Sequence, residues 1–338
     1  MKKYLLPKDG VFYKANLHSH TTISDGRFTP EQAKDLYKSN GYSILAYTDH
    51  DAFIPHHDLT DKDFLALAGF EAEFFIKRGD PTKKTCHICF IAKTPDMDIQ
   101  PCYNEKDIII GNSPKYIGKI KYDKNKPPFE RQYSAESINQ MIKTAREMNF
   151  FVTYNHPTWS QENYVQYSKY ENMHAMEIYN NDCQILGYHS YVPHVYDDML
   201  GLGKKIFVIS TDDNHNKHPQ GDPKFDSFGG FTMIKAPNLE YETITDALFA
   251  GNFYASQGPE IYELYIEDGK LHVKCSDADM ISLNTAYRTA QSVFAKNGEF
   301  INQATFEFDD SDVYLRLTIR DKNGKYANTN AYFLEDLK

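Results

Sequence analysis

No stretch of this chain approaches the run of roughly 20 apolar residues that a bilayer-spanning helix needs, so a membrane helix is excluded as an organising element. The first ten residues offer only Tyr4-Leu5-Leu6 before Pro7, far short of a signal peptide's apolar region, and the expected location is the cytoplasm. Basic excess is missing too. Lys and Arg total 37 against 47 Asp and Glu, a formal charge of −10, which argues against a broad surface for long nucleic acid. It does not exclude a phosphorylated small molecule, because bound cations would dominate the local field. Cysteine is scarce, with five residues in no disulfide-framework spacing, as suits a reducing compartment. Cys86 and Cys89 form one C-x-x-C, but no second pair follows and a strand-like run overlaps them, so they read as buried thiols rather than a zinc site. Tryptophan occurs once, and there is neither an internal repeat nor a low-complexity tract.

What is present is ordinary in bulk: 41% hydrophobic and 25% charged residues over 338 positions, enough for one large domain or a barrel with a small companion. The 25 Tyr and 22 Phe suit strand packing first and pocket walls second. Short apolar runs recur at 12–17, 43–48, 64–70, 88–92, 150–155, 176–179, 206–210 and 231–234. Helix signals stand between them. Thr29-Pro30-Glu31-Gln32 opens one helix with a cap and a first-turn proline, and Ser134 opens another with Ile138, Met141, Ile142 and Ala145 at helical spacing. A third spans 241–250. Strands alternating with helices predict a parallel sheet, and this many units predict closure into a β/α barrel. The segment 93–131 breaks the rhythm and reads as a long loop or insertion, with a specificity role and a solvated excursion both open. Beyond Gly258-Pro259 the pattern becomes strand-like alternation with turns at Asp268-Gly269, Asn297-Gly298 and Asn323-Gly324. The expected organisation is a hydrolase barrel at 1–258 and a small sandwich-like all-β domain at 259–338.

Ionisable residues gather at the ends of these runs. His18 and His20 are two apart, so a strand or its exit points both imidazoles to one side, and Asp25 returns from the next turn. Thr48-Asp49-His50-Asp51 follows the second run. Glu71 follows the third, with Glu73 on the same face as a substitute. His87 stands at the start of, or within, its run. Asn155-His156-Pro157 and Asp212-Asp213-Asn214-His215 close two later ones. Five of these six clusters fall just past a predicted strand, the rim where β/α barrels place their sites. Such groups would repel or desolvate one another at high cost unless cations neutralised them, and His–carboxylate mixtures suit Zn, Mn or Fe better than Ca. His56, His57, His174, His189, His194, His218 and His272 fit no cluster and read as surface or core residues.

Together His18-Ser-His20, Ser24-Asp25-Gly26, Thr48-Asp49-His50-Asp51, Gly69-Phe-Glu71, His87, Asn155-His156-Pro157 and Asp213-Asn-His215 resemble the PHP (polymerase and histidinol phosphatase) superfamily. The segment from His18 to Pro30 is most similar to its small metal-dependent phosphoesterases. The resemblance covers about 10–255. It implies a distorted (β/α)7 barrel and two or three divalent cations, with His18, His20, Asp25, His50, Glu71, His87, His156, Asp213 and His215 as ligands. The chain departs from the family in placing Asp212 where Ser usually precedes the last Asp. The 93–131 insertion and the β-rich tail lie outside the minimal family barrel.

Paired cations roughly 3.5–4 Å apart would ionise a bridging water to a metal-bound hydroxide that attacks phosphorus in line, with no protein nucleophile required. Asp49 and Asp51 flank His50 and are candidates either to orient ligand imidazoles or to stabilise the turn. Arg27 and Lys217 are candidate phosphate contacts, and Trp159 is a candidate stacking wall. The substrate class expected is a small phosphate ester: a phosphomonoester, a nucleotide or a short oligonucleotide. Two other readings stand beside it. Amide or ester hydrolysis of the amidohydrolase kind would call for a metal-bridging lysine at a strand end, and none is seen. A catalytically silent, metal-stabilised binding module would not need the complete set of clusters.

Overall fold

A computed structural model describes residues 2–77 and 79–337. The eight apolar runs become strands β2 (Val11–Asn16), β3 (Ile44–Tyr47), β4 (Leu65–Phe75), β5 (Thr85–Ala92), β6 (Phe150–Tyr154), β7 (Ala175–Asn180), β8 (Phe207–Thr211) and β9 (Phe231–Ala236), and two strands outside those runs, β1 (Lys3–Tyr4) and β10 (Phe253–Ser256), join them. Hydrogen bonding orders nine of them β10-β9-β2-β3-β4-β5-β6-β7-β8. Pairs β2–β3, β3–β4, β6–β7 and β7–β8 are parallel, while β5 runs antiparallel to both β4 and β6.

The ladder stops short of the continuous closed barrel expected from the strand count. β9 pairs antiparallel with β2 from Val11 to Ala15 and so occupies the edge that β8 would need. The seam is bridged in two places instead. The Thr232 hydroxyl on β9 accepts from Ser210 N at 3.2 Å and donates to Ser210 O at 3.1 Å. Beyond the strand ends, Asp213 N donates to His18 O and His20 N to Asn214 O, both at 3.0 Å.

Helices α1 (Pro30–Ser39), α2 (Ala135–Glu147), α3 (Tyr164–Tyr167), α4 (Asn181–Leu186), α5 (Pro193–Gly201) and α6 (Tyr241–Phe249) lie between strands. α1 starts at the Thr29/Gln32 capping box and α2 at Ser134, with Ile138, Met141, Ile142 and Ala145 buried on the sheet, as the spacing requires. No helix among the described residues is long and apolar enough to cross a membrane. The 93–131 segment has no α-helix. Two 3₁₀ turns carry Ile108 and Ile120 into a small cluster with Ile23 and Ala52.

The tail contains β11 (Ile261–Glu267), β12 (Lys270–Ala278), β13 (Met280–Asn284), β14 (Gln291–Phe294), β15 (Ile301–Glu307), β16 (Tyr314–Arg320), β17 (Tyr326–Thr329) and β18 (Tyr332–Phe333). One sheet runs β1-β11-β12-β15, and the other, β14-β13-β16-β17, continues through β10 into the large sheet. Leu264, Val273, Ile281 and Leu317 fill the space between them, joined by Leu5 and Leu6. Strands β10, β13 and β17 carry no clear sequence signal; each pairs with one chain neighbour (β9, β14 and β16) and with one further strand (β17, β16 and β10).

His174 is one of the histidines outside the clusters. Its ring stacks on Phe151 (4.9 Å, 16°) and meets Phe249 edge-on, while Nδ1 accepts the Val152 N–H at 3.0 Å. Burial, then Arg146, pushes its pKa down from 6.5 to about 3. Below pH 6.5 the unfolded chain therefore binds a proton that the native chain refuses, and stability falls with pH until the native ring also titrates. His174→Asn keeps an acceptor but no titration. Its stability deficit relative to the parent should narrow by up to about 1.4 kcal/mol per pH unit below 6.5. Urea melts at pH 7 and pH 5 measure this, and a constant gap refutes it.

Candidate metal centre

The strand directions explain how distant residues meet. β2, β3, β6 and β8 present their carboxyl ends to one rim. His18 and His20 leave β2 there, His50 leaves β3, His156 leaves β6, and Asp213 and His215 leave β8. β5 runs the other way, so its beginning faces the same rim, and His87 points into the site from an early strand position. Glu71 corrects the expectation that these residues fall past strand ends. β4 continues to Phe75 as one arm of a hairpin with β5, which places Glu71 and Glu73 inside a strand. Rim pairings lock the neighbours: Thr48 N to Ser19 O at 3.1 Å, Asp51 N to Glu71 O at 2.7 Å and Asn155 N to His87 O at 3.1 Å.

All nine candidate ligands converge, and eight are buried. Asp25, at 27% side-chain exposure, is the exception and opens to the cleft. Glu71 sits at the centre. Its Oε1 lies 3.2 Å from His18 Nε2, 3.2 Å from His87 Nδ1 and 3.3 Å from His156 Nε2. Its Oε2 lies 3.1 Å from His50 Nδ1 and 3.5 Å from His20 Nε2. Asp213 Oδ1 stands 3.0 Å from His20 Nε2 and 3.2 Å from His18 Nε2. A second group opens outward: Asp25 Oδ1 is 3.4 Å from His215 Nε2 and 3.8 Å from His50 Nε2. The His20 ring stacks on both His50 and His215.

These atoms crowd together without satisfying one another. Nε2 of His18 and Nε2 of His20 are 3.2 Å apart, a hydrogen bond only when one of the two carries the proton. His20 Nδ1, Asp25 Oδ1, His50 Nδ1, Glu71 Oε2 and both ring nitrogens of His87 are buried without a hydrogen-bond partner. Orphaned groups of this kind are rare and costly. Around an ion bound at about 2.1 Å, neighbouring donors stand about 3.0–3.4 Å apart, close to the separations seen here. Groups such as His20/Asp25/His50/His215, His18/His20/Asp213 and His50/Glu71/His87 bring their donor atoms within 4.8 Å of one another. The donor set therefore fits divalent cations of the Zn, Mn or Fe kind.

Electrostatics point the same way. Burial opposes protonation of His18, but Asp213, Glu71 and Glu177 overcome it and lift its pKa well above the usual histidine value. At His87 burial likewise yields to Glu71 and Glu73. His215 rises to about 9 against its burial, through Asp25. His20 goes the other way, down to about 4, because burial is reinforced by His50 and His215. The carboxylates demand positive charge here, and a cation would supply it without asking six imidazoles to hold protons.

Residues around the ligands were less legible in sequence. Glu177 is buried in β7 and holds four groups: His18 Nδ1 at 2.7 Å, His156 N at 2.8 Å, Thr211 Oγ1 at 2.6 Å and Asn180 Nδ2 at 2.9 Å. The signal was an acid inside the otherwise apolar run Ala175–Tyr179. Glu73, considered as a substitute for Glu71, instead contacts His87 Nε2 at 3.1 Å. Asp49 touches no imidazole. It accepts from the backbone N–H and hydroxyl of both Thr21 and Ser24, at 2.7–3.0 Å, and so fixes the turn that carries Asp25. Gly26 completes that turn, since a Cβ there would lie 2.3 Å from His20 O. Asp51 pairs with the buried guanidinium of Arg131 rather than with an imidazole. Asp212 accepts from Phe228, Gly229 and Gly230 N–H and the Tyr37 hydroxyl, at 2.8–3.0 Å, and anchors the loop behind the site. Cys89 lies within donor reach of His18 and Glu71, and burial pushes its thiol up to about 11. The five cysteines are all free.

A cleft of about 530 Å³ opens above this floor, lined in part by Trp159, Tyr188, Leu186, Ile109 and Ile110. Trp159 meets His87 and His156 edge-on, each at 5.1 Å. Lys217 reaches the cleft and stands 3.6 Å from Asp25 Oδ2. Arg27 is exposed outside the cleft lining, because its backbone N–H pairs with His215 O (2.8 Å) and the side chain turns to solvent. Two candidate ligands, His156 (φ 27°) and Asp213 (φ 54°), hold left-handed backbone, a strain of order 1–3 kcal/mol each that clusters at functional sites.

No family model and no curated protein matches the sequence. Among solved structures, the chain is similar to a two-domain protein containing a predicted PHP-like metal-dependent phosphoesterase from Bacteroides vulgatus ATCC 8482. That likeness has 14% identity and a TM-score of 0.44, and covers 98% of each chain. It is also similar to a proposed metal-dependent phosphoesterase from Bifidobacterium adolescentis ATCC 15703 (13% identity, TM-score 0.35, 66% of this chain and 94% of that one). An amidohydrolase from Chromobacterium violaceum with bound sulfate aligns at 16% identity and TM-score 0.33, over 60% of this chain and 87% of that one. Structural neighbours of this chain thus include a protein containing a predicted PHP-like metal-dependent phosphoesterase. All three TM-scores lie below 0.5.

Glu177 holds His18 Nδ1 and leaves Nε2 to face Glu71. Glu177→Gln should weaken cation binding about 10–100-fold with little change in far-UV circular dichroism. Competition with a chromophoric chelator measures the affinity, and an unchanged constant would remove the role.

Proposed function

We propose that this chain is a PHP-type, metal-dependent phosphoesterase that holds two or three divalent cations and hydrolyses a small phosphate ester. The observation that carries the proposal is the Glu71 carboxylate, which stands 3.1–3.5 Å from five imidazoles while one of its buried oxygens has no hydrogen bond. Cations bound there would supply Lewis acidity to a phosphoryl group and lower the pKa of water.

The chain's own residues divide the remaining work. Glu177 and Glu73 orient His18 and His87 from behind. Trp159, Tyr188 and the two isoleucines shape an apolar wall for the organic part of the ester. Lys77, Lys83, Lys84 and Lys217 ring the mouth and favour an anion. The nearby hydroxyls are committed elsewhere: Ser19 Oγ donates to Ala46 O at 2.6 Å and Ser24 Oγ to Asp49 at 2.7 Å. Water is therefore the nucleophile.

Glutamate rather than lysine at the shared central position weighs against the amidohydrolase alternative, and the complete donor set weighs against a silent binding module. His50→Ala and His156→Ala should each lower bound metal and turnover of a chromogenic phosphate ester with Mn together, the latter by at least about 100-fold, and leave the fold intact. A chelator should abolish parental turnover. Elemental analysis beside the ester assay decides, and wild-type turnover in both variants refutes the assignment.

A further inference from the structure

The 93–131 segment makes no strand or α-helix, yet its contacts end repeatedly on the same two loops. The first carries Asp25. Asn112 N donates to Ser24 O at 2.7 Å, and Asn112 Nδ2 donates to Thr22 O at 3.1 Å. Gly111 holds φ +55°, and a Cβ on it would lie 2.2 Å from Ser24 O and 2.8 Å from Asp25 Cβ, so the segment presses against the turn at backbone distance.

The second loop carries His50. Gln100 donates to Asp51 O at 3.0 Å and accepts from Phe53 N at 2.9 Å, enclosing the residues just past His50. Arg131, 4% exposed, pairs with the Asp51 carboxylate, donates to Glu73 O at 3.2 Å and lies 3.4 Å from Asp107. Asp51 itself sits at φ 57°, a conformation that an aspartate keeps only when its surroundings impose it. Ile108 and Ile120 then pack on Ile23 of the first loop and Ala52 of the second. Polar and apolar contacts thus grip both loops from one side.

Asp25 and His50 belong to the same outward-facing donor group as His20 and His215, and His50 also faces Glu71 of the inner group. The inner residues are placed differently: Glu71 and His87 by the β4–β5 ladder, and His18 and Asp213 by the rim pairing of β2 with β8. We propose that the 93–131 segment is a clamp that builds the outer cation site, with Gly111, Asn112 and Arg131 as positioning residues, while the inner site stands without it. This rests on the metal reading given above.

The test compares the parent with Gly111→Ala, Asn112→Ala and Arg131→Lys after loading with Mn and removal of free ion. Gly111→Ala and Arg131→Lys should carry one ion fewer per chain, with the weakest-held ion bound about 10–100-fold less tightly. Asn112→Ala should show the same loss to a smaller degree. In metal-free protein, amide exchange across residues 22–26 should quicken in Gly111→Ala and Asn112→Ala at an unchanged melting temperature. Should Gly111→Ala fail to fold, the other two variants decide. A full complement of ions at parental affinity in the variants overturns the proposal, as does the equal loss of every ion. A parent that binds no ion overturns the metal reading itself, and this proposal with it.

Discussion

A carboxylate buried without water can persist only if positive charge or hydrogen bonds reach it from several sides. Glu71 meets this condition with five imidazoles drawn from β2, β3, β5 and β6 and their exits. The rest of the rim is arranged around that requirement. β4 must run past the rim to deliver Glu71, which commits the next strand to return antiparallel, and the return brings His87 back to the same point. The left-handed backbone at His156 and Asp213 follows from the same demand, because imidazole and carboxylate must turn inward directly after leaving their strands.

Nine ligand candidates were legible in sequence, and all nine meet at one place. They could be read because each follows or begins an apolar run and because their chemistry is shared. Their surroundings were not legible. Asp49 and Asp51 are adjacent to His50 in the chain, yet one serves the Thr21–Ser24 turn and the other serves Arg131, 80 positions away. Glu177, which does hold a ligand imidazole, is 159 positions from it. Sequence proximity is a poor guide to which carboxylate lies behind a histidine, because strand order rather than chain order sets the neighbours. An acid in the middle of a fully buried strand was the available clue.

The fold divided in the same way. Helices α1 and α2 carry their own start signals, and with α6 they carry apolar stripes, so all three were readable locally. The direction of β5 and the failure of the ladder to close were not, because both depend on which edge a distant strand takes. β9 takes the edge of β2 that barrel closure would have used.

The occupied edge also joins the two ends of the chain. β10 pairs with β9 on one side and β17 on the other, and β1 completes the opposite tail sheet beside β11. Severing the polypeptide near residue 258 would strip β10 of its outer partner and expose Leu5 and Leu6, leaving a sticky sheet margin on the fragment that carries the histidines. The β-rich tail is thus the cover for an edge that the histidine-bearing half cannot finish with its own strands.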